Sequence, residues 1–257
     1  MTEQTQNTDG QSTRPMFFNK LMTFDREIHA NLKLDTNSGF EFAARAHLVP
    51  ITISEFRYVA RQYPIIFSSG AIPMPFAVLG LREGTNLMVG ADNQWRNRTY
   101  IPGAIHTYPF ILLPISKDSD EISLVVDPGA KCLGDTGEAL FADGKPTPVL
   151  NRIIELTQTF RAGMIRTIAF GKMLAEHKMV EARGVELTLQ DGSKFRVDNF
   201  LTLSPGKIDE AANNIFLRWR KEGWILPMFQ YLQSMDSWSM LGDLESERRA
   251  AEAAAKA

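Results

Sequence analysis

Between Trp95 and Phe110 the chain interleaves aromatic and cationic side chains: Trp95, Tyr100, Tyr108 and Phe110 alternate with Arg96, Arg98 and His106. Aromatic walls and guanidinium forks together can hold a peptide carboxylate or another planar anion. Trp95, Arg96, Arg98, Tyr100, His106 and Tyr108 are therefore a candidate ligand-binding set. A packing account competes with it, because aromatic residues are usually buried for packing alone, which leaves the arginines as surface partners of Asp92 or Glu83. A second dense run holds Trp219, Trp224, Met228, Phe229, Tyr231, Met235 and Trp238. Residues of these types are enriched at interfaces, so Trp219, Trp224, Met228, Phe229, Tyr231 and Trp238 form a candidate surface for a protein partner or a homodimer. The competing account is that the helices bearing them close over a sheet.

No established catalytic pattern is present. The chain contains no nucleophile elbow, no Walker loop and no dinucleotide-binding glycine motif. Its four histidines, His29, His47, His106 and His177, are scattered, with no pair at ligand spacing and no His-x-Asp. Asp35-Thr-Asn37-Ser-Gly39 departs from a calcium loop, since the glycine comes one place early and Ala46 stands where a bidentate glutamate is needed. It reads as a turn. Asp118, Asp120 and Glu121 read as a solvated loop. Cys132 beside Lys131 has no placed histidine to activate it and reads as an inert thiol. The expectation is no catalytic residue, no metal and no cofactor.

The elements that must position these residues follow from local pattern. Thr52-Ile-Ser-Glu55 offers the reciprocal caps of a helix start, with Phe56, Val59 and Ala60 at helical spacing and a stop before Pro64. The stretches 63–67, 76–79, 86–89, 100–101, 108–113 and 121–126 read as short strands of an antiparallel or mixed sheet. After Asp143-Gly144 the texture becomes helical. Val149, Ile153, Leu156, Phe160, Met164 and Ile168 recur as one buried helix face should. Gly163 and Gly171 each cost about 1 kcal/mol there, so a break into two helices and a single rod reaching His177 are both open. Val185, Leu187 and Leu189 alternate with polar residues, Asp191-Gly192 supplies a type I′ turn, and Phe195 and Val197 resume the alternation. Ser204-Pro205 starts a helix through Arg220, another runs from Trp224 to Met235, and a solvated helical tail follows Ser246. The fold class expected is α+β, with the sheet in the N-terminal half and helices plus a β-hairpin in the C-terminal half.

Composition bounds the rest. A chain of 257 residues with 44% hydrophobic and 23% charged residues can bury a sizeable core without disulfides or metals. The division expected is a disordered lead over 1–15, one globular unit over 16–245 with a subdomain junction near 143–148, and the tail 246–257. A net charge of -2 supplies no field that would draw the chain to nucleic acid or anionic lipid. The single cysteine fits a reducing compartment, and Met1–Pro15 does not resemble a secretory signal, so a cytoplasmic location is expected. The most apolar stretch, Tyr108–Ile115, is too short for a membrane-spanning helix.

The ordered series Ser54-Glu-Phe56, Tyr63-Pro-Ile-Ile-Phe67, Leu79-Gly-Leu81, Asn86-Leu87, Trp95, Tyr100-Ile-Pro102, Tyr108-Pro-Phe110, Ala139-Leu-Phe141 with Asp143-Gly144, and Gly223-Trp224 through Leu232-x-Ser234 resembles the SapC family over about Phe40 to Leu241. The resemblance implies association with a bacterial surface, secretion or uptake system. It carries over no catalytic residue. Where the family leads one to expect an arginine just ahead of Tyr108-Pro-Phe110, this chain has His106-Thr107; an anion site there would depend on pH.

Two function classes follow. A non-enzymatic accessory protein that binds a peptide or protein partner requires an exposed apolar patch. An enzyme acting on a peptide or small carboxylate requires His106, an arginine of the 96–98 stretch and a carboxylate to converge in one pocket.

Overall fold

Short antiparallel strands and helices share the chain in an α+β architecture. The structure, a computed structural model, describes residues 14–115 and 121–254. Most of the expected lead and the acidic positions Asp118 and Asp120 lie outside the described residues. In chain order, β1 (Met22–Thr23) and β2 (Lys33–Leu34) precede β3 (Leu48–Pro50), α1 (Phe56–Val59), β4 (Ile65–Phe67) and β5 (Pro75–Val78). Helix α2 (Gly103–His106) leads to β6 (Phe110–Pro114) and β7 (Ile122–Val126). The two-residue strands β8 (Leu133–Gly134), β9 (Glu138–Ala139), β10 (Phe141–Ala142) and β11 (Lys145–Pro146) then deliver the chain to α3 (Pro148–Glu176). The hairpin β12 (Val180–Thr188) and β13 (Lys194–Leu203) is followed by α4 (Pro205–Asp209), α5 (Asn213–Glu222), α6 (Ile225–Ser234) and α7 (Trp238–Ala254).

The larger sheet has the order β12-β13-β4-β5-β3. Its buried residues Val49, Ile65, Phe67 and Ala77 share one core with Phe56, Phe170, Trp219, Trp224, Met228 and Tyr231 from the helices. A smaller sheet, β1-β7-β6, packs over a second cluster built on Phe110, Val126, Leu140 and Leu150. The expected strands at 86–89 and 100–101 are loops instead. Their amides are taken by the groups nearby, as when Asn86 N donates to the Ala44 carbonyl and Tyr100 N to Gln62 Oε1; no ladder is left for them to join.

Helix α3 starts as its sequence requires. Thr147 caps it, with the Leu150 amide donating to Thr147 Oγ1, and Pro148 occupies the first turn. Of the two expectations for its interior, the single rod is observed. The two glycines serve close approach: a Cβ at Gly163 would come within 2.9 Å of the Thr52 side chain, and one at Gly171 within 2.5 Å of the Pro73 carbonyl oxygen. Packing at these two points offsets the helix-propensity cost.

The same contacts correct the expected buried face. The deepest positions of α3 are Leu150, Thr157, Gly163, Thr167, Phe170, Gly171 and Leu174. Val149 and Ile153 are half-buried against the second cluster, Phe160 and Met164 are half-buried, and Ile168 is exposed. The helix is rotated so that its small residues meet the Thr52 and Pro73 segments, which swings part of the apolar stripe outward.

The hairpin spans more residues than its alternation predicts, and its turn differs. Of the turn residues 190–193 only Gly192 has positive φ, at 77°. With Gly192 N donating to the Leu189 carbonyl and Leu189 N to that of Ser193, the loop has three residues with glycine in the left-handed position. The two-residue type I′ geometry occurs instead at Asp143-Gly144, φ 48° and 70°, between β10 and β11. The C-terminal segment is not simply solvated either: Gln190 N donates to Ser246 Oγ and Arg249 to Ser193 Oγ, which ties α7 to the hairpin tip.

Candidate binding groove

The six residues of the first candidate set do not share one site. Trp95 is buried and packs edge-on against Phe40. With Arg96 it borders a cavity of about 410 Å³ at the Gly90–Asn97 loop, but the Arg96 guanidinium is engaged by Glu247 at 3.2 Å. Arg98 is exposed and contributes its carbonyl as acceptor to Gln62 Nε2. Tyr108 stacks on Phe42 at 4.3 Å and directs its hydroxyl to the buried Asp127, whose carboxylate also accepts the amides of Asn19, Lys20 and Gly129. Cys132 lines a cavity beside Tyr108, and burial pushes its thiol up to about 11. That agrees with an inert thiol.

Tyr100 belongs to a polar knot around Glu55. The capping box forms as the spacing predicts, and the Glu55 carboxylate, buried, accepts from Thr52 N at 2.7 Å, Gly103 N at 2.6 Å and the Tyr100 hydroxyl at 3.1 Å. Tyr63 donates to the Tyr100 carbonyl at 2.8 Å. Burial raises the Glu55 pKa although all three donors oppose the rise. A group whose folded pKa is raised adds most stability below its unfolded value, about 4.3, and that contribution is lost as pH climbs through the folded value. Glu55→Gln, which cannot ionise, is therefore expected to gain in urea midpoint relative to wild type between pH 5 and pH 8. A constant difference between the two proteins across that range contradicts the assignment.

His106 ends α2 on the surface, where partial desolvation and then the charge of Arg152 hold its imidazole below the ordinary range. His47 borders a different cavity, with Arg45 and Glu83. Of the four cavities described, none is lined by His106 together with Arg96 or Arg98 and a carboxylate. The convergence that the enzyme reading requires is not present in them. Among the described residues no group of histidine, cysteine, aspartate and glutamate side chains could hold a metal ion. The Asp35 segment is a turn, with Asn37 N donating to Asp35 Oδ1.

The second candidate set is corrected by burial. Trp219, Trp224, Met228, Tyr231 and Trp238 are core residues, and only Phe229, 53% exposed, reaches solvent. Gly223, φ 79°, ends α5 with Trp224 N donating to the Trp219 carbonyl and Gly223 N to that of Arg220. This two-bond cap turns both indoles inward, where they help seal the larger sheet.

The arrangement best suited to hold a partner lies where α3 passes β6, one that the sequence did not single out. A cavity of about 220 Å³ opens there between Ile111, Leu112 and Leu113 on the strand side and Phe160, Arg161 and Met164 on the helix side. Phe160 packs on Gly103, where a Cβ would meet its ring at 2.7 Å, so the Glu55 knot fixes one wall. Two threonines in the lining are committed to backbone: Thr107 Oγ1 donates to the Gly103 carbonyl and Thr157 Oγ1 to those of Ile153 and Ile154. Exposed Ile165 and Ile168 lie further along α3.

Strand β6 is an edge, paired only with β7 in its sheet. Asp127 N donates to the Pro109 carbonyl and Ile115 N to that of Glu121. With the antiparallel register Ile111↔Val125, this alternation turns the amides of Ile111 and Leu113 towards β7 and the N–H and C=O of Leu112 away from it. Pro114 has no N–H to offer. The site thus combines a short run of outward backbone polarity with apolar walls.

No helix among the described residues is long and apolar enough to cross a membrane. No curated protein and no solved structure matches the chain. The SapC family model matches residues 24–241, a stretch that includes the larger sheet, β6 and β7, all of α3 and both walls of the groove, and the chain belongs to the SapC family.

Proposed function

We propose that this protein is a non-enzymatic accessory protein that takes an extended apolar segment of a protein partner into the groove between β6 and α3. The observation that carries the reading is the unpaired edge at Leu112 beside the apolar cavity. Strand addition draws affinity from main-chain hydrogen bonds and selectivity from pockets that take alternate side chains, and this groove supplies both. Membership of the SapC family supports placing the partner in a bacterial surface-protein export or outer-membrane uptake system. The pocket around Trp95–Phe110 on which the enzyme alternative depended is divided among separate places, which weighs for binding over turnover.

An acetylated hexapeptide alternating threonine with valine is the probe, titrated into isotopically labelled protein. The expected result is a shift and slowed exchange at the Leu112 amide, with methyl shifts at Ile111, Leu113 and Met164. Met164→Asp places a charge on the apolar wall and is expected to weaken binding at least about tenfold, equivalent to roughly 1.4 kcal/mol. Ile168→Asp, at a more exposed position, checks that any loss is not simply unfolding. Shifts confined to other surfaces, or none at all, refute the groove.

A further inference from the structure

Among the described residues Arg161 is the one charged side chain that lines the groove, and it has no carboxylate partner among them. Arg26, Arg45, Arg57, Arg61, Arg98, Arg152, Arg166 and Arg220 also lack a carboxylate partner among the described residues, but none of them lines this groove. Arg82, Arg248 and Arg249 gather on Glu245, while Arg96, Arg183, Arg196 and Arg218 each have an acidic neighbour. Arg161 is half-buried beside Phe160 and Met164, and the groove hydroxyls of Thr107 and Thr157 are spent on helix carbonyls. A partly desolvated guanidinium at the wall of an apolar cavity favours an anion from the incoming ligand, because a carboxylate can accept two parallel N–H bonds there.

The edge itself limits what that ligand can be. Leu112 turns a free N–H and C=O outward, whereas the outward N–H of Phe110 is taken by the Thr107 carbonyl and Pro114 closes the ladder at the end of β6. A partner strand can therefore pair over about three residues. A chain end suits so short a ladder better than a segment that must enter and leave on both sides.

We propose that the groove recognises the C-terminus of its partner: apolar side chains enter the cavity between Ile111, Leu113 and Met164, and the terminal carboxylate is held by Arg161. This rests on the groove being the binding site. Arg161 is a specificity-determining residue in this account, one that selects chain ends over internal segments.

The test compares two forms of the same acetylated threonine-valine hexapeptide, one with a free C-terminal carboxylate and one as the carboxamide, by fluorescence anisotropy of labelled peptides. The free acid is expected to bind wild type about tenfold more tightly than the amide. Arg161→Gln should erase that preference by weakening the acid form alone, and Arg161→Lys should recover part of it. Raising salt should erode the preference while leaving amide binding nearly constant. Equal affinity of acid and amide for wild type, with the shifts at Leu112 intact, overturns C-terminal recognition while the groove stands. Failure of both forms to bind overturns the groove and this inference together.

Discussion

Trp219→Ala is expected to cost about 3–5 kcal/mol of folding stability, the range for truncating a large aromatic in a closed core. The indole is 1% exposed, and it lies edge-on to His177 with ring centroids 5.4 Å apart. Its Nε1 has no hydrogen-bond partner among the described residues, so packing rather than polarity holds it. In a chain of this length such a loss lowers the melting temperature by on the order of 10 °C. Equilibrium unfolding in urea measures it. Phe229→Ala is the contrast, since that ring is 53% exposed and its removal should cost under about 1 kcal/mol. Near-equal effects of the two substitutions contradict the division of this segment into core and surface.

Glu245→Gln is the second large expected effect, a loss of about 2–3 kcal/mol. The Glu245 side chain is fully enclosed and receives Arg82 Nε at 2.9 Å, an Arg248 terminal nitrogen at 3.0 Å and Arg249 Nε at 3.1 Å. The glutamine amide would direct N–H groups at a guanidinium and leave three cations without their shared counter-charge. The arginines are themselves 24% to 42% exposed, so water softens the penalty below that of a wholly buried pair. Burial opposes the charge of Glu245, yet the hydrogen bonds from Arg248 and Arg249 and the charges of Arg248 and Arg82 outweigh it and leave its pKa lowered. A lowered folded pKa adds stability above the unfolded value, and that stability disappears as pH falls through the folded value. The gap between wild type and Glu245→Gln should therefore narrow on acidification, measured as urea midpoints from pH 7 down to pH 3. This is the opposite sign from Glu55. Because Arg249 also reaches Ser193 and Asp191, the substitution should speed amide exchange at the hairpin tip before it does so in β4 or β5.

The two buried glutamates illustrate how far sequence reasoning reached into the candidate site. Glu55 was legible because its first task is local: the capping box needs only Thr52 three residues away. Its attachments to Gly103 and Tyr100 span more than forty residues and left no local trace. The groove was still less visible. Phe160, Met164 and Ile168 read as core because a run of apolar residues at helical spacing says that a helix has an apolar stripe, not what the stripe meets. Likewise nothing near Arg161 in sequence indicates that no carboxylate among the described residues will reach it.

Sequence alone determined the elements whose causes lie within a few residues: the Thr52 helix start, the change to helix after Asp143-Gly144, the hairpin alternation and the ordered motifs that identify the family. The tertiary structure alone decided which way α3 turns. Gly163 and Gly171 permit the Thr52 side chain and the Pro73 carbonyl to approach closely, where any larger side chain would clash, and this contact fixes the rotation of the helix. That rotation buries small residues and leaves apolar ones beside an unpaired strand edge.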